Sequence, residues 1–182
     1  MCGLGVILRT GPGPIPGGWL DALDQAVAAR GPDGAGRFRD AVPAGAPGAP
    51  HGISVAMVHR RLAVIDPAGG GQPMTWRDPA DPREGLVAVV FNGFVANHRD
   101  LRAELAAAGR DFASDHSDTE VLVHGTAAWG DRLAGRLEGM VAAATWDRRA
   151  RRLRLLRDRF GEKPLWVARR RRGEAERLLV AG

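Results

Sequence analysis

Residues 1–10 read MCGLGVILRT, and Cys2 is the only cysteine among the 182 residues. "CGLGVIL" is a short apolar run of the kind that forms a strand. A small second residue favours removal of the initiator methionine, so the mature chain is expected to begin at Cys2 with thiol and free α-amine on one residue. An α-amino group titrates near about 7.7–8.0 and a thiol near about 8.5, so at neutral pH part of the amine is unprotonated and can take the thiol proton. Nucleophile and base then share one residue, the N-terminal form of activated nucleophilic catalysis. The competing reading is a small apolar residue that opens a strand, because cysteine is often buried without chemistry.

Working outward from this run, "ISVAMVHR" reads as a second strand and "LVAVVF" as a buried one, followed by "VAAATWD", "RLRLLRD", "PLWVA" and "RLLVAG". Trp19, Leu20, Leu23, Ala26 and Val27 recur at spacings of three and four, which predicts a helix over Gly18 to Ala29. A second helix is expected after Asn97 as its cap, with Asp100 in the first turn and an end at Gly109. A third starts at "SDTE", where Ser117 and Glu120 have capping-box spacing, and runs toward Trp129. "AVPAGAPGAPHG" and "RDPADPREG" are loops. With neither an internal repeat nor a composition break, the length suits one domain over 1–182. Strands clustered at both ends with helices between them predict an α+β layered fold, two sheets covered by helices.

Composition limits the function. No stretch approaches the apolar length of a membrane span, and a charged n-region with an apolar h-region is missing, so no membrane partner is expected and the expected address is the cytoplasm. One cysteine rules out an internal disulfide framework and a cysteine-based zinc knuckle. The sequence pI is about 11, but Arg148 to Arg177 holds 13 basic and 4 acidic residues, leaving −4 for the remainder of a chain of net charge +5. "WDRRARRLRLLRDRF" alternates as two strands with arginines on a solvated face, the alternative being an electrostatic docking surface. Without zinc-finger spacing and with few aromatics, nucleic acid is not the expected partner.

Four further residues bear on thiol chemistry. A tetrahedral oxyanion needs fixed donors, and in "VVFNGF" Asn92 carries an amide NH₂ while Gly93 lets the backbone approach closely. Asn-Gly between apolar runs is also the commonest hairpin-turn signal. Arg61 in "HRRLAVID" suits a substrate carboxylate, or is a surface arginine at a strand end. Asp118 in "SDTE" suits a substrate ammonium, or is an acid favoured in a helix's first turn.

"MCG", "RGPDG", "HRRLAVID", "GGQPM", "FNG" with "NHRDLRAEL", "SDTEVLVHG", "LEGMVAAATWD" and "RDRFGEKPLW" occur in the order seen in the glutaminase domain of glutamine-hydrolysing asparagine synthetases, which the chain resembles from Cys2 to nearly its last residue. The resemblance implies a class II glutamine amidotransferase domain with the N-terminal nucleophile hydrolase fold, a four-layered αββα sandwich. It implies Cys2 as nucleophile, Asn92 and Gly93 as oxyanion hole, Arg61 as carboxylate clamp, backbone at Val64 and Ile65 as pocket wall, and Asp118 as the group that holds the α-ammonium of L-glutamine. Arg30 and Asp33 of "RGPDG" are expected to order the loop beside the site. No metal or organic cofactor is expected for glutamine hydrolysis, whereas ATP and magnesium belong to a synthetase domain or partner.

Two departures from that family pattern stand out. The family usually continues Asn-Gly with glutamate, as in "NGEIYN", while this chain has "NGFVAN" with Phe94 in that place and Ala96 where tyrosine is usual. Losing one charged hydrogen bond costs on the order of 1.5–3 kcal/mol, roughly tenfold to hundredfold in affinity. The chain also stops at "RLLVAG", where the family continues through a last strand into a synthetase domain that adenylates aspartate, so a sheet edge is expected to stay unpaired. Either a separate synthetase subunit is expected to complete the reaction or the chain is a fragment of a longer reading frame, and a homodimer is the other expected association. The competing functional reading is a domain without glutaminase activity, kept for binding or assembly.

Overall fold

The computed structural model describes residues 2–62, 70–172 and 175–182. The opening run becomes β1 (Gly3–Thr10), which pairs antiparallel with β3 (Ile53–Arg61) on one side and β9 (Ala175–Ala181) on the other. Strand alternation sends successive side chains to opposite faces. Leu4 and Val6 are fully buried on one face with Val55, Met57 and Val180. The opposite face carries Gly3, Gly5 and Ile7 beneath α1 (Gly17–Val27), whose Leu20, Leu23 and Val27 are buried. Helix and strand lie so close that a Cβ at Gly5 would sit 2.6 Å from the Leu23 side chain. Glycine at this position thus sets the layer spacing on which α1 docks.

The first sheet has the order β2 (Gly34–Val42), β3, β1, β9 and β8 (Trp166–Arg172). The second runs β4 (Met74–Arg77), β5 (Leu86–Val95), β6 (Gly139–Asp147) and β7 (Arg152–Arg157). On β5, Ala88 and Val90 face the first sheet, while Val87, Val89 and Phe91 pack against α2 (His98–Ala107) and α3 (Asp118–Trp129). One helix, two sheets and two helices make the four-layered αββα sandwich of the N-terminal nucleophile hydrolase type. "LVAVVF" is apolar without alternation because both of its faces are covered.

Several expectations are corrected. β2 and β4 lie where the sequence carries no strand signal: β2 contains two glycines and three charged residues, and β4 has four residues, so neither shows a strand's apolar pattern. Asn92-Gly93 is no hairpin turn, since β5 continues through both, pairing Asn92 with Ala142 and Gly93 with Val141, and then leads into α2. Asn97 precedes α2 without capping it. Its side-chain amide donates to the Arg136 carbonyl at 2.8 Å and accepts from Glu138 N–H at 3.1 Å, tying the helix start to the residues before β6. The first helix ends at Val27 and tightens into a 3-10 turn, Ala28–Arg30.

The solvated arginine face is also revised. Leu153 and Leu155 of β7 pack on the intersheet core, whereas Arg154, with its side chain 11% exposed, lies on the other face and pairs with Asp131 and Asp147. Residues 177–181 of "RLLVAG" lie in β9, hydrogen-bonded on both sides by β1 and β8, so the sheet edge with no further strand among the described residues is that of β8. The β8–β9 pairing sets β8 outside it.

Candidate active site

The β1–β3 register pairs Gly3 with Arg60, and one further step along it sets Cys2 opposite Arg61. By alternation Cys2 shares the face of Leu4, the one turned toward the second sheet. The same rule on β5 places Asn92 on the face of Ala88 and Val90, turned toward the first sheet. Thiol and amide therefore meet at one end of the space between the sheets. Both line a cleft of about 570 Å³ together with Arg61, Gly93, Phe94 and Asp118.

The Cys2 thiol is half-buried and lies within hydrogen-bonding reach of Leu62, whose N–H donates to Sγ at 3.5 Å and whose carbonyl is 3.7 Å away. The Cys2 carbonyl accepts from Arg30 Nε at 3.2 Å. In the same loop Asp33 N–H donates to the Arg61 carbonyl at 2.9 Å, so "RGPDG" joins the end of β3 to the residue that carries the thiol. The ordering role expected for Arg30 and Asp33 thus has specific contacts.

Asn92 is 4% exposed, and its Nδ2 is a buried donor that meets no acceptor among the described residues. Such a group costs roughly 1–3 kcal/mol unless something outside the fold accepts from it. Beside it the Gly93 backbone passes so close to β6 that a Cβ would lie 1.9 Å from the Met140 carbonyl oxygen. A side chain there would push β5 away from β6, so the glycine keeps the Gly93 backbone at the cleft wall.

Asp118 opens α3, where the helix dipole favours negative charge. Its Oδ2 accepts from Val95 N–H at 3.1 Å. Burial pushes its pKa up, against the pull of the Val95 N–H and the charge of His98. The helix start is fixed by Ser117 Oγ, which accepts from Glu120 N–H at 3.3 Å, as the capping spacing requires. Glu120 does not reach back to Ser117. Its carboxylate accepts from Ala113 N–H at 2.7 Å and Ser114 N–H at 3.0 Å, closing the preceding loop under Asp118.

Phe94 is 37% exposed and meets the His98 ring edge-on, with centroids 5.9 Å apart. His98 Nδ1 lies 2.9 Å from the Val95 carbonyl, an acceptor only, so Nδ1 carries the proton. Arg61 lies beside Gly70, where a Cβ would come within 2.5 Å of the guanidinium. The structure thus brings Cys2, Arg61, Asn92, Gly93 and Asp118 together, while Val64 and Ile65 lie outside the described residues. Sequence reasoning assigned no role to Gln72, His98, Met140 or Lys163, which line the same cleft. Gln72 and Lys163 stand in the motifs "GGQPM" and "RDRFGEKPLW", and His98 stands in "NHRDLRAEL" as the first residue of α2, so for these a positional signal existed. Met140 comes to the cleft through its β6 pairing with Phe94, a register that its own sequence position does not reveal.

Residues 1–181 match the family described as glutamine amidotransferase domain. The chain is 35% identical over 150 residues to asparagine synthetase [glutamine-hydrolyzing] 3 of Bacillus subtilis, covering 82% of this chain and 22% of that protein. It is 36% identical over 175 residues to a putative asparagine synthetase [glutamine-hydrolyzing] of Mycobacterium bovis, covering 92% of this chain and 25% of that one. Among solved structures, the glutamine phosphoribosylpyrophosphate amidotransferase of B. subtilis superposes with a TM-score of 0.65 at 21% identity, over 96% of this chain and 41% of that one, a likeness of fold. The chain belongs to the glutamine amidotransferase domain family. It spans about a fifth to a quarter of the length of these curated relatives.

Proposed function

We propose that this domain hydrolyses L-glutamine to glutamate and ammonia through Cys2, once Met1 has been removed, and supplies the ammonia to an asparagine-synthetase-type module that amidates aspartate. The observation that carries the reading is the buried Nδ2 of Asn92, which meets no acceptor among the described residues, on the wall of the cleft that holds the only thiol. A fixed, buried donor of this kind suits a charge that appears during reaction.

The Cys2 amine takes the thiol proton, and the thiolate attacks the carbonyl carbon of the substrate's side-chain amide. The oxygen becomes an oxyanion held by Asn92 Nδ2–H and Gly93 N–H. Ammonia leaves with a proton from the Cys2 ammonium as the C–N bond breaks, and a γ-glutamyl thioester remains. Water then attacks that thioester, glutamate departs and the thiol is restored. Arg61 pairs with the substrate carboxylate and Asp118 with its ammonium, while Val64 and Ile65 are assigned to the pocket wall. Phe94 offers that ammonium no second carboxylate, which favours weak glutamine binding and supports an alternative in which the domain binds or assembles without turnover.

This half-reaction is proposed to use no cofactor, and ATP and magnesium are assigned to the second module. That module is a separate subunit or a continuation of the relatives' kind, and self-association as a homodimer belongs to the same proposal. A reactive thiol of this sort works in a reducing compartment, which keeps the cytoplasm as the proposed address.

Intact-mass measurement of purified protein followed by a glutamine-to-glutamate assay tests the reading. Loss of Met1, glutamate release, and at least a roughly thousandfold drop in Cys2→Ala are expected. Undiminished turnover in Cys2→Ala would exclude the mechanism, and calorimetric binding of glutamine without turnover would favour the alternative.

A further inference from the structure

Strand β4 stops short of the catalytic end of β5. Its register runs from Arg77 opposite Leu86 to Met74 opposite Val89, and two more steps along the same edge place Gln72 opposite Phe91. No β4 strand residue stands there, yet both backbone groups of Phe91 are held. Its N–H donates to the Gln72 side-chain oxygen at 2.6 Å, in place of a ladder carbonyl. Its carbonyl lies 3.1 Å from His59 Nε2, which reaches across from β3 in the opposite sheet. A carbonyl only accepts, so Nε2 carries the proton and donates. His59 is 1% exposed, and burial lowers its pKa to about 4 despite the carbonyl partner, so the ring is neutral at physiological pH.

The Phe91 carbonyl belongs to the peptide group that leads into Asn92. Because Asn92 Nδ2 has no partner of its own among the described residues, its direction is inherited from the backbone that carries it. We infer that Gln72 and His59 are positioning residues for the oxyanion donors, gripping the strand at Phe91 from two elements so that Asn92 Nδ2 and Gly93 N–H stay aimed into the cleft. This rests on the proposed thiol mechanism. A third contact steadies the grip: a Cβ at Gly36 of β2 would lie 2.0 Å from the Gln72 carbonyl oxygen, so the β2 backbone backs directly onto Gln72. The glutamine is thereby wedged between β2, at the edge of the first sheet, and the stretch of β5 that β4 leaves uncovered in the second.

Donors that act on the tetrahedral species matter to kcat, whereas ground-state binding through Arg61 and Asp118 is untouched. Gln72→Met keeps length and volume but lacks the acceptor, and His59→Leu removes the donor. Each is expected to lower kcat roughly tenfold to hundredfold with KM within about twofold. Gln72→Glu and His59→Gln, which restore an acceptor and a donor, are expected to recover much of that loss and serve as the folded comparison where a first variant fails to fold. A glutamine analogue with an aldehyde in place of the carboxamide, which Cys2 converts to a tetrahedral hemithioacetal, should lose affinity in Gln72→Met in parallel with kcat. Glutamate, which forms no such adduct, should bind as in the wild type. Wild-type kcat and aldehyde affinity in Gln72→Met and His59→Leu would overturn the assignment alone. A wild-type chain that neither turns over glutamine nor captures the aldehyde would remove the thiol mechanism and this assignment with it.

Discussion

Asp118 alone carries a carboxylate among the described residues that line the cleft, so the proposed contact with a substrate ammonium falls to it. Its raised pKa means that it takes up a proton at a higher pH than an ordinary aspartate, near about 3.9. On acidification KM for glutamine is expected to rise from above that range, read from steady-state kinetics across pH. Asp118→Asn should raise KM roughly tenfold to hundredfold and flatten this acid limb, with a smaller change in kcat. Burial that raises an acid's pKa makes its ionisation a cost to the fold, so stability falls as pH climbs through the folded pKa. Thermal melting of Asp118→Asn at neutral pH should therefore match or exceed the wild type, because the amide oxygen still accepts from Val95 N–H.

At the scale of elements, α1 is held by charge as well as by its apolar stripe. Asp24, with its side chain 3% exposed, accepts from Arg60 of β3 at 2.5 Å and from Arg37 of β2 at 2.7 Å. Burial would raise its pKa, but the hydrogen bonds from Arg60 and Arg37 outweigh it and the net shift is downward. The stability this supplies is present above the ordinary carboxylate range and is lost as pH falls through the lowered pKa. Asp24→Asn should cost about 2–3 kcal/mol by denaturant unfolding at neutral pH, with the gap to wild type closing below about pH 4. The apolar spacing of Trp19, Leu20 and Leu23 announced this helix, and Ser117 announced α3, because both signals lie within one or two turns of chain. Nothing local marked Asp24 as the residue that fastens α1 to two strands.

Across the whole molecule, Trp146 joins the two sheets. It is fully buried between them and its Nε1 donates to Asp40 of β2 at 2.7 Å, while Arg148 pairs with the same carboxylate. Trp146→Phe keeps most of the apolar contact but leaves Asp40 one donor short, at a cost of about 1–2 kcal/mol. Calorimetry should then show Tm lowered by roughly 3–6 °C. The order of residues along the chain was enough to locate the apolar strands, the helices and the residues that meet in the cleft, because a strand's composition, a helix's period and a motif's spacing are properties of neighbours. β2 and β4, the passage of β5 straight through Asn92-Gly93, and the grip of Gln72 and His59 on Phe91 emerged only when the sheets were stacked. Each depends on groups tens of residues apart whose meeting is set by register and layer spacing, and a backbone carbonyl that accepts from across the sandwich leaves no trace in the identity of the residue that bears it.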